Sequence, residues 1–282
     1  MLVPWADCLT WCEDNSAKMI SPIWTSIRVG PILRGERDLR QYSLNFSSGA
    51  GLSGTRRILL LLMAKRISAE LWRGNLNMHS PGEATIVTFT DMNVFRNLLG
   101  KHERVRRELY RITKPQFLPS KTFHQPFIGI HVRMGDYPPM PTVPKHASLL
   151  YRLPVDWYVK ALHAIRLAIK TDLPAIVFSD GSDHELAELL ELPRVTRSPY
   201  RAAITDLLAL SMASVIITSR STFSLWGCYL GQVPSVWYPS KRDICGEGVI
   251  HSDNAGELEI DWMPHWGIPS GFALAVRQRF NT

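Results

Sequence analysis

In the stretch Ile130-His131-Val132-Arg133-Met134-Gly135-Asp136-Tyr137, two side chains suited to an anion stand two positions apart. On a β-strand that spacing puts His131 and Arg133 on one face and Ile130 and Val132 on the other. Gly135 then permits a sharp turn at the strand's end. An arginine so placed can grip a diphosphate through paired hydrogen bonds that a lysine cannot copy. The same grip stabilises charge developing on a departing phosphate. The plainer alternative is an arginine that pairs with Asp136 on the surface.

A second cluster runs Thr218-Ser219-Arg220-Ser221-Thr222-Phe223-Ser224-Leu225-Trp226-Gly227, a hydroxyl-rich turn between an apolar strand and a helix. The helix start offers unpaired amides, and Ser221, Thr222 and Ser224 add donors, so an anion would be welcome. Ordinary capping by Ser221 or Thr222 explains the same residues without a ligand. Asp180 closes the apolar run 175–179, and Asp206 lies early in a helical stretch. Asp206 there could accept hydrogen bonds from a base or simply favour the helix dipole. If a hydroxyl must lose a proton, Asp136 is the nearest base, with His146 in the loop beyond.

The elements that would position these residues alternate after Pro115. Strands are expected at 126–132, 175–179, 214–218 and 234–238, with helices at 154–170, 183–190, 204–212 and 222–230, Asp183 capping the second. Such alternation predicts a parallel sheet covered on both faces, with ligands at the strands' C-terminal ends. The first 120 residues are less regular. A helix is expected at 2–15, a short strand at 19–24, a charged loop at 28–41, a helix at 55–72, a strand at 85–89 and a helix from 93 to 110.

Composition bounds the rest. A hydrophobic fraction of 45% with 20% charged residues is that of a folded globular chain rather than a disordered one. The net charge of +7 suits a phosphate-bearing ligand or an acidic membrane surface, so a peripheral membrane contact is a candidate; no nucleic-acid partner is expected. Cys8 and Cys12 share a helix face, and no second close pair completes a zinc set, so free thiols and a cytoplasmic location are expected. The longest aliphatic run, residues 58–64, is too short to span a bilayer. No two aspartates stand two residues apart, so the Asp-x-Asp metal motif is absent. His184-Glu185 lacks a second histidine one turn on. Gly49-Ala50-Gly51-Leu52-Ser53-Gly54 satisfies a dinucleotide fingerprint but follows a polar, serine-rich stretch, so a loop is expected. Trp237, Trp262 and Trp266 could stack on sugars, though packing explains them as well.

Taken in order, His131–Tyr137, Phe178–Gly181, Asp206–Met212 and Ser221–Tyr229 resemble four motifs of the α1,2-fucosyltransferase family. These are His-x-Arg-Arg-Gly-Asp-Tyr, a Ser-Asp-Asp segment, Asp-Leu-x-Leu-Met-Ser and Ser-Thr-Phe-Ser-Trp-Trp-Gly-Ala. The likeness covers about residues 126 to 240. It implies an α/β, GT-B-like fold of two Rossmann-like halves, the C-terminal one a parallel sheet with helices on both faces. Residues 1–120 would form an acceptor-side domain and 121–282 the nucleotide-sugar domain. GDP-fucose would be the donor substrate, with no other cofactor and no metal, and a glycan or lipid-linked glycan the acceptor. Transfer would invert the sugar carbon. By the same resemblance Arg133 holds the β-phosphate, His131 and Asp206 lie around the nucleoside, and Ser221, Thr222 and Ser224 touch phosphate. Met134, Gly181 and Leu225 depart from the pattern, standing where the family has arginine, aspartate and tryptophan. The family opens with a Gly-Leu-Gly-Asn-Gln loop just before its first helix, and Met1-Leu2-Val3-Pro4-Trp5-Ala6 resembles the residues after that loop, so either the start is assigned too late or the loop is missing. Those departures leave two alternatives, a transferase for another nucleotide sugar and a catalytically inert nucleotide-sugar or glycan binder.

Overall fold

The computed structural model describes residues 2–20, 22, 42–47, 51–74, 84–90, 95–120, 125–135, 137–140, 151–238, 257–259 and 267–280. Its strands are β1 (Lys65–Ser68), β2 (Thr85–Thr88), β3 (Ile128–Val132), β4 (Ala175–Ser179), β5 (Val195–Arg197), β6 (Val215–Ile217), β7 (Ser235–Trp237) and β8 (Glu257–Glu259). Its helices are α1 (Leu2–Asp14), α2 (Tyr42–Asn45), α3 (Gly54–Met63), α4 (Ala69–Gly74), α5 (His102–Ile112), α6 (Val155–Ile169), α7 (Ala187–Leu190), α8 (Ala203–Leu210), α9 (Thr222–Gly231) and α10 (Ser270–Gln278). β1 and β2 pair in parallel, and the other six strands form one parallel sheet in the order β5-β4-β3-β6-β7-β8.

That order decides where a ligand can sit. From β3 the chain winds outward through β4 to β5, returns to lay β6 against the other side of β3, and then winds outward again. The crossing point lies between β3 and β6, and in sheets of this kind ligands bind beyond the strands' C-terminal ends at such a point.

β3, β6 and β7 are buried at every residue, as expected of parallel strands covered on both faces. Alternate residues feed two cores. Ile128, Ile130 and Val132 pack with Trp157, Leu162 and Ile165 of α6 and with Phe272 and Val276 of α10. On the opposite face Ile216, Phe178 and Trp237 join α8, α9, α5 and α1, through side chains such as Leu210, Trp226, Leu109 and Trp5. Helices on this side approach the sheet closely. A Cβ on Gly129 would come 2.7 Å from Leu210 Cδ1, and one on Gly227 would come 2.8 Å from Leu210 Cδ2. Tyr229 of α9 donates its hydroxyl to the Leu98 carbonyl at 2.8 Å, tying the N-terminal residues to this core.

Several elements differ from the sequence reading. The helix expected over 55–72 divides into α3, β1 and α4, because residues 65–68 pair with β2 and so leave the helix. The helix expected from 93 begins at His102, after a 3-10 turn at Arg96–Leu98 and Gly100 at φ +72°. Asp183 does not cap the next helix. α7 starts later, at Ala187, and the Asp183 carboxylate pairs with Arg197. β5, β8 and α10 were not expected. Gly54, the last glycine of the fingerprint, has φ +65° and starts α3, while residues 48–50 lie outside the described set. Cys8 and Cys12 share a helix face as expected, with their sulfurs 3.9 Å apart. Trp237 is buried, and Trp262 and Trp266 fall outside the described residues.

The close approach of α9 to the end of α8 gives a test of this packing. A Cβ on Gly231 would lie 2.1 Å from the backbone oxygen of Ser211, which cannot swing aside as a side chain could. Gly231→Ala is therefore expected to cost about 1–3 kcal/mol or more. Urea denaturation should show the lower midpoint, whereas Gly271→Ala, with nothing within 4 Å, should leave it unchanged.

Candidate functional site at the strand crossing

β3 delivers His131 to the α9 side of the sheet and carries the chain on to Arg133, just past the strand's C-terminal end. Asp180 follows β4, the neighbouring strand, and its two oxygens divide their work. Oδ1 accepts the Met134 amide at 2.8 Å, and Oδ2 forms an ion pair with Arg133 Nη1. The pair is mostly buried, the side chains being 18% and 16% exposed. Glycine at 135 is what allows it, since a Cβ there would come 2.4 Å from Asp180 Oδ2. The guanidinium also lies 5.3 Å from the centre of the Tyr137 ring. Arg133 is thus held between a carboxylate and an aromatic face.

The turn beyond β3 has its own anchor. Arg152 donates from Nη2 to the Gly135 carbonyl at 3.0 Å and from Nε to the Tyr137 carbonyl, and pairs with Glu185 at 3.3 Å. Arg197 anchors the turn after β4 in the same way, donating to the Ser179 carbonyl at 3.1 Å and pairing with Asp183. Met134 and Gly181 meet in this site. A Cβ on Gly181 would meet Met134 Cγ at 2.7 Å, so a small residue at 181 accommodates the apolar side chain at 134.

On the other side of the crossing point, α9 begins at the end of β6. Ser221 caps it, its hydroxyl accepting the Phe223 amide at 3.2 Å, and Thr222 is exposed at the first helical position. Ser224 is fully buried. Its hydroxyl lies 2.7 Å from His131 Nδ1 and accepts the Ser219 amide at 3.0 Å, while the Ser219 hydroxyl lies 2.8 Å from the same ring nitrogen. Phe223 stacks on the imidazole with centres 4.6 Å apart. Burial, helped by the charge of Arg133, pushes the His131 pKa down to about 3, so the ring is neutral at pH 7. His131 therefore joins β3 to α9 as an uncharged hydrogen-bonding group. Arg220, in the same turn, is buried as well.

Asp206 lies in the first turn of α8, past the end of β5. Its Oδ1 accepts the hydroxyl of Ser198, which in turn accepts the Tyr200 amide at 3.3 Å. All these residues lie at or beyond the C-terminal ends of β3, β4, β5 and β6, so one edge of the sheet carries them. Their hydroxyls and carboxylates are engaged to different degrees. Ser224 holds His131, Asp180 holds Arg133, and Thr222 is the exposed hydroxyl of the three on α9. Asp136 and His146 lie outside the described residues. Ser219, Ser198, Arg152 and Arg197 were missed in the sequence, where isolated serines and arginines carry no spacing signal. Ser219 and Arg220 lay inside the hydroxyl-rich turn already singled out, and that density was the available clue. A cavity of about 950 Å3 elsewhere, lined by Trp5, Trp11, Trp72, Val87 and Phe89 among others, shares no residue with this edge. Among the described residues, no group of three or more His, Cys, Asp or Glu is placed to hold a metal ion.

No family model matches the chain, and no curated protein does. Among solved structures it is similar to the E. coli heptosyltransferase WaaC with ADP, at 15% identity and TM-score 0.34 over 62% of this chain and 47% of that one. It is also similar to a glycosyl transferase family 9 protein from Veillonella parvula, at 14% identity and TM-score 0.32 over 77% of this chain and 64% of that one. A third is POFUT1 in complex with GDP, at 14% identity and TM-score 0.30 over 62% of this chain and 54% of that one. The chain thus spans about half to two thirds of the length of the structures it matches. At these TM-scores the likeness decides neither fold nor activity, and both rest on the chain's own geometry.

The depressed histidine makes stability depend on pH in a definite direction. Unfolded, His131 titrates near 6.5; folded, near 3. Between those values the unfolded chain binds a proton that the folded chain does not, so stability is full above 6.5 and falls as pH drops. From pH 6.5 to 5 the loss attributable to His131 is about 2 kcal/mol. Urea denaturation at the two pH values should show His131→Gln losing that much less stability than wild type over the interval. Equal pH slopes in the two proteins would contradict a buried neutral imidazole.

Proposed function

We propose that the strand crossing between β3 and β6 binds the diphosphate of a nucleotide sugar and that the protein is a glycosyltransferase. One observation carries the reading. A nearly buried arginine and the N-terminus of α9 stand on the two sides of the strand crossing, the place where a doubly wound sheet can admit a ligand. The guanidinium supplies charge and paired donors, and the first amides of α9 supply a dipole end, both suited to a phosphate. The neutral His131 contributes a hydrogen bond and no charge.

The four ordered motifs favour GDP-fucose as the donor and a glycan hydroxyl as the acceptor, as in the α1,2-fucosyltransferase family. In the reaction the acceptor oxygen attacks the anomeric carbon of fucose from the face opposite the diphosphate. A glycosidic bond forms as the bond to the β-phosphate oxygen breaks, and GDP leaves with the electron pair. The acceptor's proton passes to a base, for which Asp136 is the candidate. Arg133 stabilises the charge that grows on the β-phosphate, a role open to a metal ion in other architectures and assigned here to protein groups. Asp180 acts through Arg133, fixing the guanidinium before the ligand arrives.

Calorimetry with GDP in metal-free buffer tests the clamp. Wild type should bind, and Arg133→Ala should lose about 2 kcal/mol or more, roughly thirtyfold in affinity. Arg133→Lys should recover little of that loss, because the paired geometry is gone. Release of GDP from GDP-fucose on adding glycan acceptors would separate a transferase from an inert binder. Failure of the wild-type chain to bind GDP would end the nucleotide reading.

A further inference from the structure

Helix α3 carries its apolar stripe on the wrong side for a core helix. Ile58, Leu59, Leu62 and Met63 recur at the spacing of one helix face, and they are 57%, 57%, 77% and 82% exposed. Arg57, Leu60 and Leu61 lie half-buried on the inner side, and no residue of the helix is fully buried. An amphipathic helix in a globular chain normally turns such a stripe inward. Four adjacent large apolar side chains left in water mark a surface that something else covers.

The charges around the stripe say what kind of partner fits. From Gly54 to Ala69 the sequence holds Arg56, Arg57, Lys65 and Arg66 and no acidic residue. Arg66 also donates to the Leu61 carbonyl at 2.7 Å, which keeps a cation at the helix's C-terminal end. Beside the stripe opens a cavity of about 500 Å3, lined by Leu59, Leu60, Met63 and Ala64 together with the basic Arg56 and Lys65. Ten residues of helix span about 15 Å, half the hydrocarbon thickness, so the helix cannot cross a bilayer. Lying flat, it would sink its apolar stripe to the acyl boundary while the cations meet the phosphates of the headgroups.

We infer that α3 is a membrane-surface helix that docks this protein on a bilayer containing anionic lipid. The apolar stripe supplies partition and the acid-free basic flank supplies attraction, so binding needs both. The inference does not depend on the nucleotide reading, since neither Arg133 nor α9 takes part.

Sedimentation of the full chain with phosphatidylcholine vesicles, with and without half phosphatidylglycerol, tests it at low and high salt. Binding should appear with the anionic vesicles and weaken as salt rises. The triple variant Leu59→Ser, Leu62→Ser, Met63→Ser should bind at least tenfold more weakly at either salt level. Arg56→Gln with Lys65→Gln should lose about thirtyfold at low salt and little at high salt. Both variants should melt within a few degrees of wild type, as expected of changes on an exposed face. Absence of binding to anionic vesicles would overturn the inference, as would a triple variant that binds like wild type. A concentration-dependent dimer that the triple variant abolishes, without vesicle binding, would instead make α3 an interface between copies.

Discussion

The contact between Arg133 and Asp180 sets the terms for the rest of the site. Arg133 sits where β3 ends, close to a buried core, and a charge there needs a partner held at fixed geometry. Asp180 supplies one because β3 and β4 run side by side with Val132 opposite Ser179, so the next residues on each strand come level. Asp180 can close on the arginine only because residue 135 has no side chain. A single backbone turn therefore depends on a strand register, and the register depends on two continuous apolar faces. Arg152 and Arg197 then hold the loops on either side, so the guanidinium is placed by the fold before any ligand arrives.

The charge pattern around that contact is selective. His131 is the ionisable side chain nearest to the arginine along the chain, and its burial keeps it neutral. Two serine hydroxyls satisfy its Nδ1 and lock the ring between β3 and α9. Among the described residues, Arg133 with its forked donors, the N-terminus of α9 and the exposed Thr222 hydroxyl stand at this edge. That set fits a diphosphate better than a carboxylate, which would use the fork alone. A ligand phosphate would share the guanidinium with Asp180, drawing on its remaining donors. Beside that contact Met134 and Gly181 share one spot, since a Cβ on Gly181 would come 2.7 Å from Met134 Cγ.

The C-terminal sheet was legible because its strands are short unbroken apolar runs between helices with clear periodicity. β5 was not, since Val195-Thr196-Arg197 is a three-residue outer strand with a single buried position. β1 was hidden by its neighbours. The leucines of α3 continue a helical pattern into residues 65–68, and only the pairing with β2 makes them a strand. The outward stripe of α3 was invisible for the same reason, because periodicity reveals a face without saying what it meets. The strand and helix pattern placed His131 and Arg133 at a strand end and Ser221 and Asp206 at helix starts, where the structure has them. Spacing could not show that Asp180 turns toward Arg133 or that Ser224 turns toward His131, because those contacts join residues 47 and 93 positions apart.

The most direct test of the central claim is a crystal structure of the chain with GDP. The account predicts the diphosphate between the ends of β3 and β6, within hydrogen-bonding distance of Arg133 and of the first amides of α9, with His131 uncharged and still held by Ser219 and Ser224. GDP bound anywhere else on the chain, with Arg133 and Asp180 still closed on each other and no phosphate near them, would contradict it.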